Sequence, residues 1–331
     1  MAAIGILGAG TWGIALARIL SNAGHSVTVW SALPKEIEDL SATHRHPNLP
    51  DAVIPDGIFF TKDLETAVSQ KEIVLFAVPS PFVRSTAKAA APFIPSGQII
   101  VDVAKGIEAD TLLTMTQIIE SQLPGKNPRL VAFSGPTHAE EVAKDLPTTI
   151  VSASRDKETA QFVQTIFEDT CMRVYTNSDI FGVELCGAAK NVIALASGIA
   201  AGLGYGDNTK AALITRGMAE ITRLGIAMGC CPETFYGLAG VGDLIVTATS
   251  VHSRNNRCGM LLGQGIPKED AVKQVGMVVE GLHALPAMLR LGAQFHVELP
   301  IMEAVNAIAN QGANPQDEVR VLMSRVSKSE S

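Results

Sequence analysis

The stretch AIGILGAGTWGIALARIL, residues 3–20, decides how the first half of this chain folds. An apolar run of strand length occupies residues 3–7, and the glycine spacing GxGxxG follows at once in residues 8–13. Apolar residues then recur at helical intervals, and a second strand-like run lies at residues 26–30. A glycine turn placed between a strand and a helix is typical of dinucleotide-binding βαβ units. We therefore expect this segment to bind a dinucleotide.

Each glycine of this turn has a separate expected role. Gly8 permits the tight turn, Gly10 lets the backbone approach a pyrophosphate, and Gly13 lets the helix pack closely on the strand. The helix N-terminus then offers free N–H groups to the phosphates.

The residues after the second strand leave the choice of cofactor open. WSAL at residues 30–33 holds neither the acid typical of NAD sites nor the arginine typical of NADP sites. Lys35, Arg45 and His46 are the nearby candidates for contacting a 2′-phosphate, but their spacing proves nothing. We expect NADP or NAD, with the preference undecided.

Strand-like and helical stretches alternate through the rest of the first half, which predicts parallel βα units in a doubly wound sheet. The expected strands are residues 73–78, 98–103, 129–133 and 148–153, and the expected helices are residues 61–69, 81–91 and 110–122.

Ligands in such sheets bind beyond the carboxyl ends of the strands. Lys105 lies at one of these ends, and SGPTHA at residues 134–139 lies at another. A solvated loop lysine is an equal interpretation of Lys105 from its position, and Thr137 is alternatively a helix N-cap.

Length, charge and cysteine content limit the class of protein. The chain has 331 residues, enough for two domains, and 26 basic against 33 acidic residues give a net charge of −7. This balance argues against a nucleic-acid partner, and 47% hydrophobic residues argue against disorder. Five cysteines without a CxxC pair fit neither a disulfide framework nor a zinc ribbon, and no histidine spacing indicates a metal. The N-terminus does not resemble a signal peptide, so we expect a cytoplasmic protein.

The second half changes character after a last strand at residues 173–177. We expect an α/β dinucleotide-binding domain over residues 1–177 and an all-α substrate-binding domain over residues 178–331. Ser178 or Asp179 would cap a long helix. This helix is apolar, but Lys190 and several glycines interrupt it, so we expect a buried helix and no membrane insertion.

Lys190 is the only charged residue between Glu184 and Asp207. A buried ammonium group needs a partner, and its readily shifted pKa suits proton donation to a carbonyl oxygen as hydride arrives. Asp243 directly follows a glycine turn and is able to orient this lysine. The alternative is a lysine at a helix edge whose charged end reaches water.

A second cationic feature lies at the predicted start of a later helix. With Ser253 as N-cap, Arg254 and Asn255 lie in the first turn. Positive charge there opposes the helix dipole, so a small phosphate bound by the arginine would relieve it. The alternative is that Arg254 and Arg257 are simply solvated.

Together these segments resemble the bacterial-type NAD(P)-dependent glycerol-3-phosphate dehydrogenases across nearly the whole chain. The segments that carry the resemblance are GAGTWG (8–13), AKG (104–106), SGPT (134–137), KNVIA (190–194), AALITRG (211–217), GVGDL (240–244), SRN (253–255) and VVEG (278–281).

The resemblance implies reversible reduction of dihydroxyacetone phosphate to sn-glycerol 3-phosphate, which supplies phospholipid synthesis, with Lys190 as general acid and base. The implied substrate contacts are Lys105, Gly135, Thr137, Lys190, Asp243, Ser253, Arg254 and Asn255. The implied cofactor contacts, besides the three glycines, are Thr11, Trp12, Lys105, Ala139, Arg254, Val278 and Glu280. The chain departs from the family at Ala32 and its neighbours, where many members carry a basic residue for the 2′-phosphate.

Two other functions compete with this one. A related two-domain dehydrogenase would act on a hydroxy acid, and a nucleotide-sensing regulator would keep the cofactor fold without catalysis. The regulator would have no need for Lys190 in an apolar helix. The expected partner is a small phosphorylated substrate; a homodimer is an open option, because the sequence does not determine the oligomeric state.

Overall fold

The computed structural model describes residues 1–326 and 329. The chain folds as two compact units: unit 1 comprises Met1–Lys105 and Leu113–Glu184, and unit 2 comprises Gly106–Leu112 and Leu185–Ser331. The main division, between Glu184 and Leu185, lies inside a helix. The predicted domain boundary at residue 177 marks the end of the last strand and stays a prediction.

Unit 1 is built on an eight-stranded sheet of order β3-β2-β1-β4-β5-β6-β7-β8. The strands are β1 (Ala3–Leu7), β2 (Ser26–Trp30), β3 (Phe59–Thr61), β4 (Ile73–Phe76), β5 (Ile99–Asp102), β6 (Arg129–Ser134), β7 (Thr148–Ala153) and β8 (Met172–Asn177). The order reverses at β1, between β2 and β4, as in a doubly wound sheet. The predicted fold class is confirmed, although the short edge strand β3 was not anticipated.

One step of the sheet differs from the predicted all-parallel arrangement. Strands β1 to β6 pair in parallel, but β7 pairs antiparallel with β6, and β8 is parallel to β7. The link from β6 to β7 contains only the short helix Ala139–Val142. A parallel crossover usually needs a longer helix that covers one face of the sheet, so β7 enters in the opposite direction.

The helices of unit 1 lie between the strands. They are α1 (Thr11–Asn22), α2 (Pro34–Thr43), α3 (Leu64–Val68), α4 (Val83–Ala90), α5 (Met115–Ser121), α6 (Ala139–Val142) and α7 (Lys157–Ile166). The predicted helix at residues 110–122 begins only at Met115, because Thr114 forms a capping box with Gln117.

Alternation along the strands produces two apolar cores in unit 1. Ile4 and Ile6 of β1 belong to one cluster of buried residues, whereas Leu7 belongs to the other. On β4, Leu75 belongs to the first cluster and Phe76 to the second. A sheet buried on both faces explains why its strands read as continuous apolar runs.

The described part of unit 2 is helical, as predicted. Its helices are α8 (Ile180–Gly202), which begins in unit 1, α9 (Asp207–Ala227), α10 (Pro232–Tyr236), a π-helix (Leu238–Gly242), α11 (Asp243–Thr249), α12 (Arg254–Gly263), α13 (Lys268–Val275), α14 (Glu280–Gln294), α15 (Pro300–Gln311) and α16 (Pro315–Met323).

Helix α8 has the length and apolar composition of a membrane span, but 94% of its most apolar window is buried inside the protein. It is therefore a core helix, as expected. Asp179 caps its start, since an Asp179 carboxylate oxygen accepts a hydrogen bond of 2.9 Å from the Gly182 backbone N–H.

Glycines let α8 and α12 approach backbone to backbone. A Cβ added at Gly198 of α8 would lie 2.1 Å from the Asn256 carbonyl oxygen, and one at Gly259 of α12 would lie 2.2 Å from the Leu195 carbonyl oxygen. No larger residue fits at either position without separating the helices. This close crossing brings the start of α12 to the middle of α8.

Candidate active site

The glycine turn of unit 1 has the geometry of a phosphate cradle. Gly8 has φ +122°, and a Cβ there would lie 2.7 Å from the Ala77 carbonyl carbon and oxygen. A Cβ at Gly13 would lie 2.1 Å from the Gly8 carbonyl oxygen. A Cβ at Gly10, in contrast, would have nothing within 4 Å. Gly8 and Gly13 are therefore required by packing, whereas Gly10 leaves open space beside the backbone.

The start of α1 complements that space. Gly10 is the N-cap and has no side-chain cap, so the first-turn N–H groups are not used by a capping side chain. Thr11 and Trp12 lie in this turn and are half-buried, and the Asn48 side-chain amide donates to Thr11 Oγ1 at 3.1 Å. Helix α6, which begins with Ala139, packs on α1. Open space before an uncapped helix N-terminus fits the pyrophosphate of a dinucleotide.

The carboxyl ends of β5 and β6 bring together three predicted substrate contacts. Lys105 is half-buried, and its Nζ donates to the Gly135 carbonyl oxygen at 3.0 Å. The Thr137 hydroxyl donates to the same oxygen at 3.1 Å. The buried hydroxyl of Ser134 has no hydrogen-bond partner among the described residues, which suits a polar ligand at this edge. Thr137 does not cap α6, whose N-cap is His138.

In unit 2, Lys190 is buried in the middle of α8, with only 4% of its surface exposed. Its ammonium forms a salt bridge with Asp243, which is 1% exposed, and donates to Thr247 Oγ1 at 2.6 Å. The Thr247 hydroxyl donates in turn to the Asp243 backbone carbonyl at 2.7 Å. Since Asp243 and Thr247 lie one turn apart on α11, they meet Lys190 together. The alternative of a lysine end in water is wrong.

A second network joins three helices of unit 2 beside this ion pair. The Asn255 side chain donates to Asn191 Oδ1 at 2.9 Å and accepts from the Gly281 backbone N–H at 2.9 Å. It therefore links α8, α12 and the start of α14. The structure shows that this amide joins the neighbouring helices, and its contact with the substrate stays a prediction.

The start of α12 matches the sequence prediction. Ser253 is the N-cap, and its hydroxyl accepts from the Asn256 N–H at 3.2 Å. Arg254 is the first helical residue and is half-buried, whereas Arg257 is exposed. Val278 and Glu280 lie at the start of α14 and are half-buried.

Sequence reasoning missed Thr247 and Asn191, which complete the two networks of unit 2. The signal for Thr247 was its position four residues after Asp243, on the same helical face. Asn191 directly follows Lys190 and gave no such signal, because its partner lies 64 residues away in sequence.

The described residues contain no cluster of three or more His, Cys, Asp or Glu side chains able to hold a metal. The five cysteines are free thiols. Burial raises the pKa of Cys258 to about 11, so this thiol is protonated at neutral pH.

Comparison with known proteins agrees with the fold and the motifs. A family model for the N-terminus of NAD-dependent glycerol-3-phosphate dehydrogenase matches residues 3–160, and the model for the C-terminus of the same family matches residues 179–320.

Relatives match over essentially their full length. A glycerol-3-phosphate dehydrogenase of the NAD(P)+ type from Lactobacillus delbrueckii subsp. bulgaricus is 64% identical over all of this chain and 99% of its own. One from Fusobacterium nucleatum is 51% identical over all of this chain and 99% of its own. The crystal structure of glycerol-3-phosphate dehydrogenase from Coxiella burnetii has a TM-score of 0.93 and 34% identity, and the match covers 98% of this chain and 99% of that one. The chain belongs to the NAD-dependent glycerol-3-phosphate dehydrogenase family of oxidoreductases.

Proposed function

We propose that this chain reversibly reduces dihydroxyacetone phosphate to sn-glycerol 3-phosphate, with Lys190 as the general acid and base. The observation that carries the proposal is the buried ammonium of Lys190, held between Asp243 and Thr247. A buried, paired lysine in an apolar helix has no evident use in a protein that only senses a nucleotide.

The proton transfer follows from the chemistry of this group. NAD(P)H, when bound, supplies the hydride that reaches the carbonyl carbon. Lys190 donates a proton to the developing alkoxide oxygen during reduction and accepts it back during oxidation. Asp243 stabilises the protonated lysine, and Thr247 fixes the direction of its Nζ. Asp243 and Thr247 thus hold the Lys190 Nζ in one position before the reaction begins.

Arg254 is the proposed anchor for the substrate phosphate. A guanidinium binds phosphate through two parallel hydrogen bonds, and the N-terminus of α12 adds the positive end of a helix dipole. Ser253 and Asn255 hold this turn in place, and we assign them to the substrate site together with Lys105, Gly135 and Thr137. Binding energy from the distant phosphate then orients the reacting carbon.

The cofactor side of the proposal is assigned to the glycine turn with Thr11 and Trp12. Ala139, Val278 and Glu280 stay proposed cofactor contacts, as do Lys105 and Arg254. We infer a cytoplasmic enzyme that supplies glycerol phosphate to phospholipid synthesis; assembly as a homodimer stays a prediction.

The test is a steady-state assay of NADH or NADPH oxidation with dihydroxyacetone phosphate. We expect turnover, and we expect Arg254→Ala to raise KM for this substrate at least tenfold, because a charged hydrogen-bonding partner of the phosphate is lost. At saturating cofactor, activity with unphosphorylated dihydroxyacetone should fall far less, because this ketone has no phosphate for Arg254 to bind.

Arg257→Ala is the matched control, since Arg257 is exposed on the same helix. Equal losses with the phosphorylated and unphosphorylated ketones would contradict phosphate anchoring. Turnover of a hydroxy acid but not of the phosphorylated ketone would favour the related dehydrogenase, and cofactor binding without any turnover would favour the regulator.

A further inference from the structure

We propose that the carboxylate of Glu36, held by Ser31 at the end of β2, makes this enzyme prefer NAD(H) over NADP(H). The inference deepens the proposed function by naming the cofactor form, and it rests on that function only for the identity of the bound dinucleotide.

The end of β2 lies directly beside the glycine turn. Leu7 and Trp30 are register partners in the parallel pair of β1 and β2, and the Gly8 N–H donates to the Trp30 carbonyl oxygen at 2.8 Å. Ser31 is the next residue and is 7% exposed. Its position therefore follows from the same hydrogen bonds that shape the phosphate cradle.

Ser31 holds a carboxylate at this position. The Ser31 hydroxyl donates to Glu36 Oε2 at 2.5 Å and accepts from the Leu33 N–H at 3.1 Å. Glu36 lies in the first turn of α2 and is half-buried. The short turn from β2 to α2 thus places an acid next to the strand end, although the sequence there reads only WSAL.

The location gives this carboxylate a specific effect on the cofactor. In doubly wound dinucleotide sites, an acid at the end of the second strand accepts hydrogen bonds from the adenosine ribose 2′-hydroxyl. A 2′-phosphate at the same place would bring two negative charges together and lose those hydrogen bonds. Glu36 therefore favours the unphosphorylated ribose.

No nearby basic residue is held against Glu36 by a described contact. Lys62, which follows the register partner of Trp30, forms a salt bridge with Glu38 instead. His46 is 4% exposed, and burial lowers its pKa, with the charge of Glu36 opposing that shift only in part. His46 is accordingly neutral at pH 7 and offers no positive charge to a 2′-phosphate. Lys35 and Arg45 are exposed, and no side-chain hydrogen bond to another described residue holds either one at the strand end.

A purely structural role for Glu36 makes a different prediction. An acid in the first turn of a helix is favourable because of the helix dipole, whatever ligand is bound nearby. In that case, neutralising Glu36 would lower stability and leave the ratio of NADH to NADPH affinity unchanged.

The experiment measures dissociation constants of NADH and NADPH by calorimetry on the full chain, without substrate. We expect NADH to bind about tenfold more tightly than NADPH. Glu36→Gln should reduce the ratio of the two dissociation constants by about tenfold, mainly through tighter NADPH binding. Glutamine still accepts the Ser31 hydroxyl, so the variant keeps the turn. Asp39→Asn is the matched control, because Asp39 is an exposed acid on the same helix. The ratio of the NADH and NADPH dissociation constants should stay unchanged in this variant.

Ser31→Ala is a second variant, which keeps the charge of Glu36 but removes the hydrogen bond that holds its side chain. We expect it to reduce the preference for NADH over NADPH by less than Glu36→Gln does. NADPH binding as tight as NADH in the unmodified chain would overturn the inference, as would equal ratios in Glu36→Gln and Asp39→Asn. Because these measurements involve no turnover, their failure is distinct from the absence of dihydroxyacetone phosphate reduction, which would overturn the proposed function instead.

Discussion

The glycine turn of unit 1 and the Lys190 cluster of unit 2 are built by opposite means. The turn uses backbone N–H groups and the absence of side chains, and its three glycines lie close together in sequence, within residues 8–13. The cluster uses the side chains of Lys190, Asp243 and Thr247, and the ion-pair partners are 53 positions apart in sequence. The turn needs no long-range side-chain partner, although the neighbouring backbone of Ala77 and Trp30 shapes it, whereas a buried ion pair is stable only while two helices hold both partners together.

The largest expected effect is on the chemical step in the cluster. Lys190→Ala removes the proton donor, so kcat should fall by a general acid–base factor of about 10²–10⁴. Cofactor binding should persist, because the glycine turn lies in unit 1. Steady-state kinetics and an NADH titration check the two halves of this prediction. Lys273→Ala, an exposed lysine on α13, is the control, and an unchanged kcat in Lys190→Ala would remove this lysine from the mechanism.

The next effect is on stability. Asp243→Ala leaves the buried Lys190 ammonium without its carboxylate, which should lower the free energy of unfolding by about 3–5 kcal/mol. Urea denaturation measures this loss. Replacing both partners, Lys190→Met with Asp243→Leu, should restore most of the stability but no turnover. If the double variant were as unstable as Asp243→Ala, loss of the ion pair would not be the cause.

A third prediction concerns a buried acid elsewhere in unit 2. Glu220 is 2% exposed and accepts from the Ile301 N–H at 2.8 Å, which caps α15. Burial raises its pKa to about 7, with the charge of Glu303 adding to the shift and the backbone N–H groups and Arg223 opposing it.

The direction of the pH dependence follows from proton binding. Between its ordinary pKa of 4.5 and about 7, the folded chain holds a proton that the unfolded chain has released. The raised pKa of Glu220 therefore stabilises the fold fully below pH 4.5. This stabilisation, roughly 3 kcal/mol, is lost as the pH rises through 7. Glu220→Gln should flatten the fall in urea midpoint between pH 5 and 8. The same slope in Glu220→Gln as in the unmodified chain would assign that fall to other groups, and Glu233→Gln, at an exposed acid, is the control.

The smallest effects separate two kinds of glycine. Gly198→Ala should lower stability by about 1–3 kcal/mol, because its Cβ would meet the Asn256 carbonyl oxygen and push α12 away from α8. Gly10→Ala should change stability by less than about 0.5 kcal/mol, since nothing lies within 4 Å, but should weaken NADH binding. Urea midpoints and NADH titrations of both variants provide the test. Equal losses of stability in the two variants would contradict the interpretation that Gly198 is required for packing and Gly10 is required for the ligand.

Much of unit 1 was predictable because its signals are local. The glycine turn follows from its spacing together with the strand-like and helical runs on either side, and the buried strands follow from apolar runs, since each depends on neighbours a few residues away. The helical character of unit 2 and the N-cap at Ser253 were predictable for the same reason. Among the site residues, Lys190 stood out because a charge in an apolar helix is costly without a partner.

Tertiary structure decided four features: the antiparallel entry of β7, the contact of Thr247 with Lys190, the Asn191–Asn255–Gly281 network and the Ser31–Glu36 pair. Each depends on where backbone segments come to lie after packing: α12 reaches α8 because glycines remove the Cβ atoms between them, and Glu36 reaches the end of β2 because of one turn. The amino-acid sequence determined which groups the chain has for binding and proton transfer. Their partners were set by long-range packing, because hydrogen bonds and ion pairs require distances of a few ångströms that local patterns do not encode.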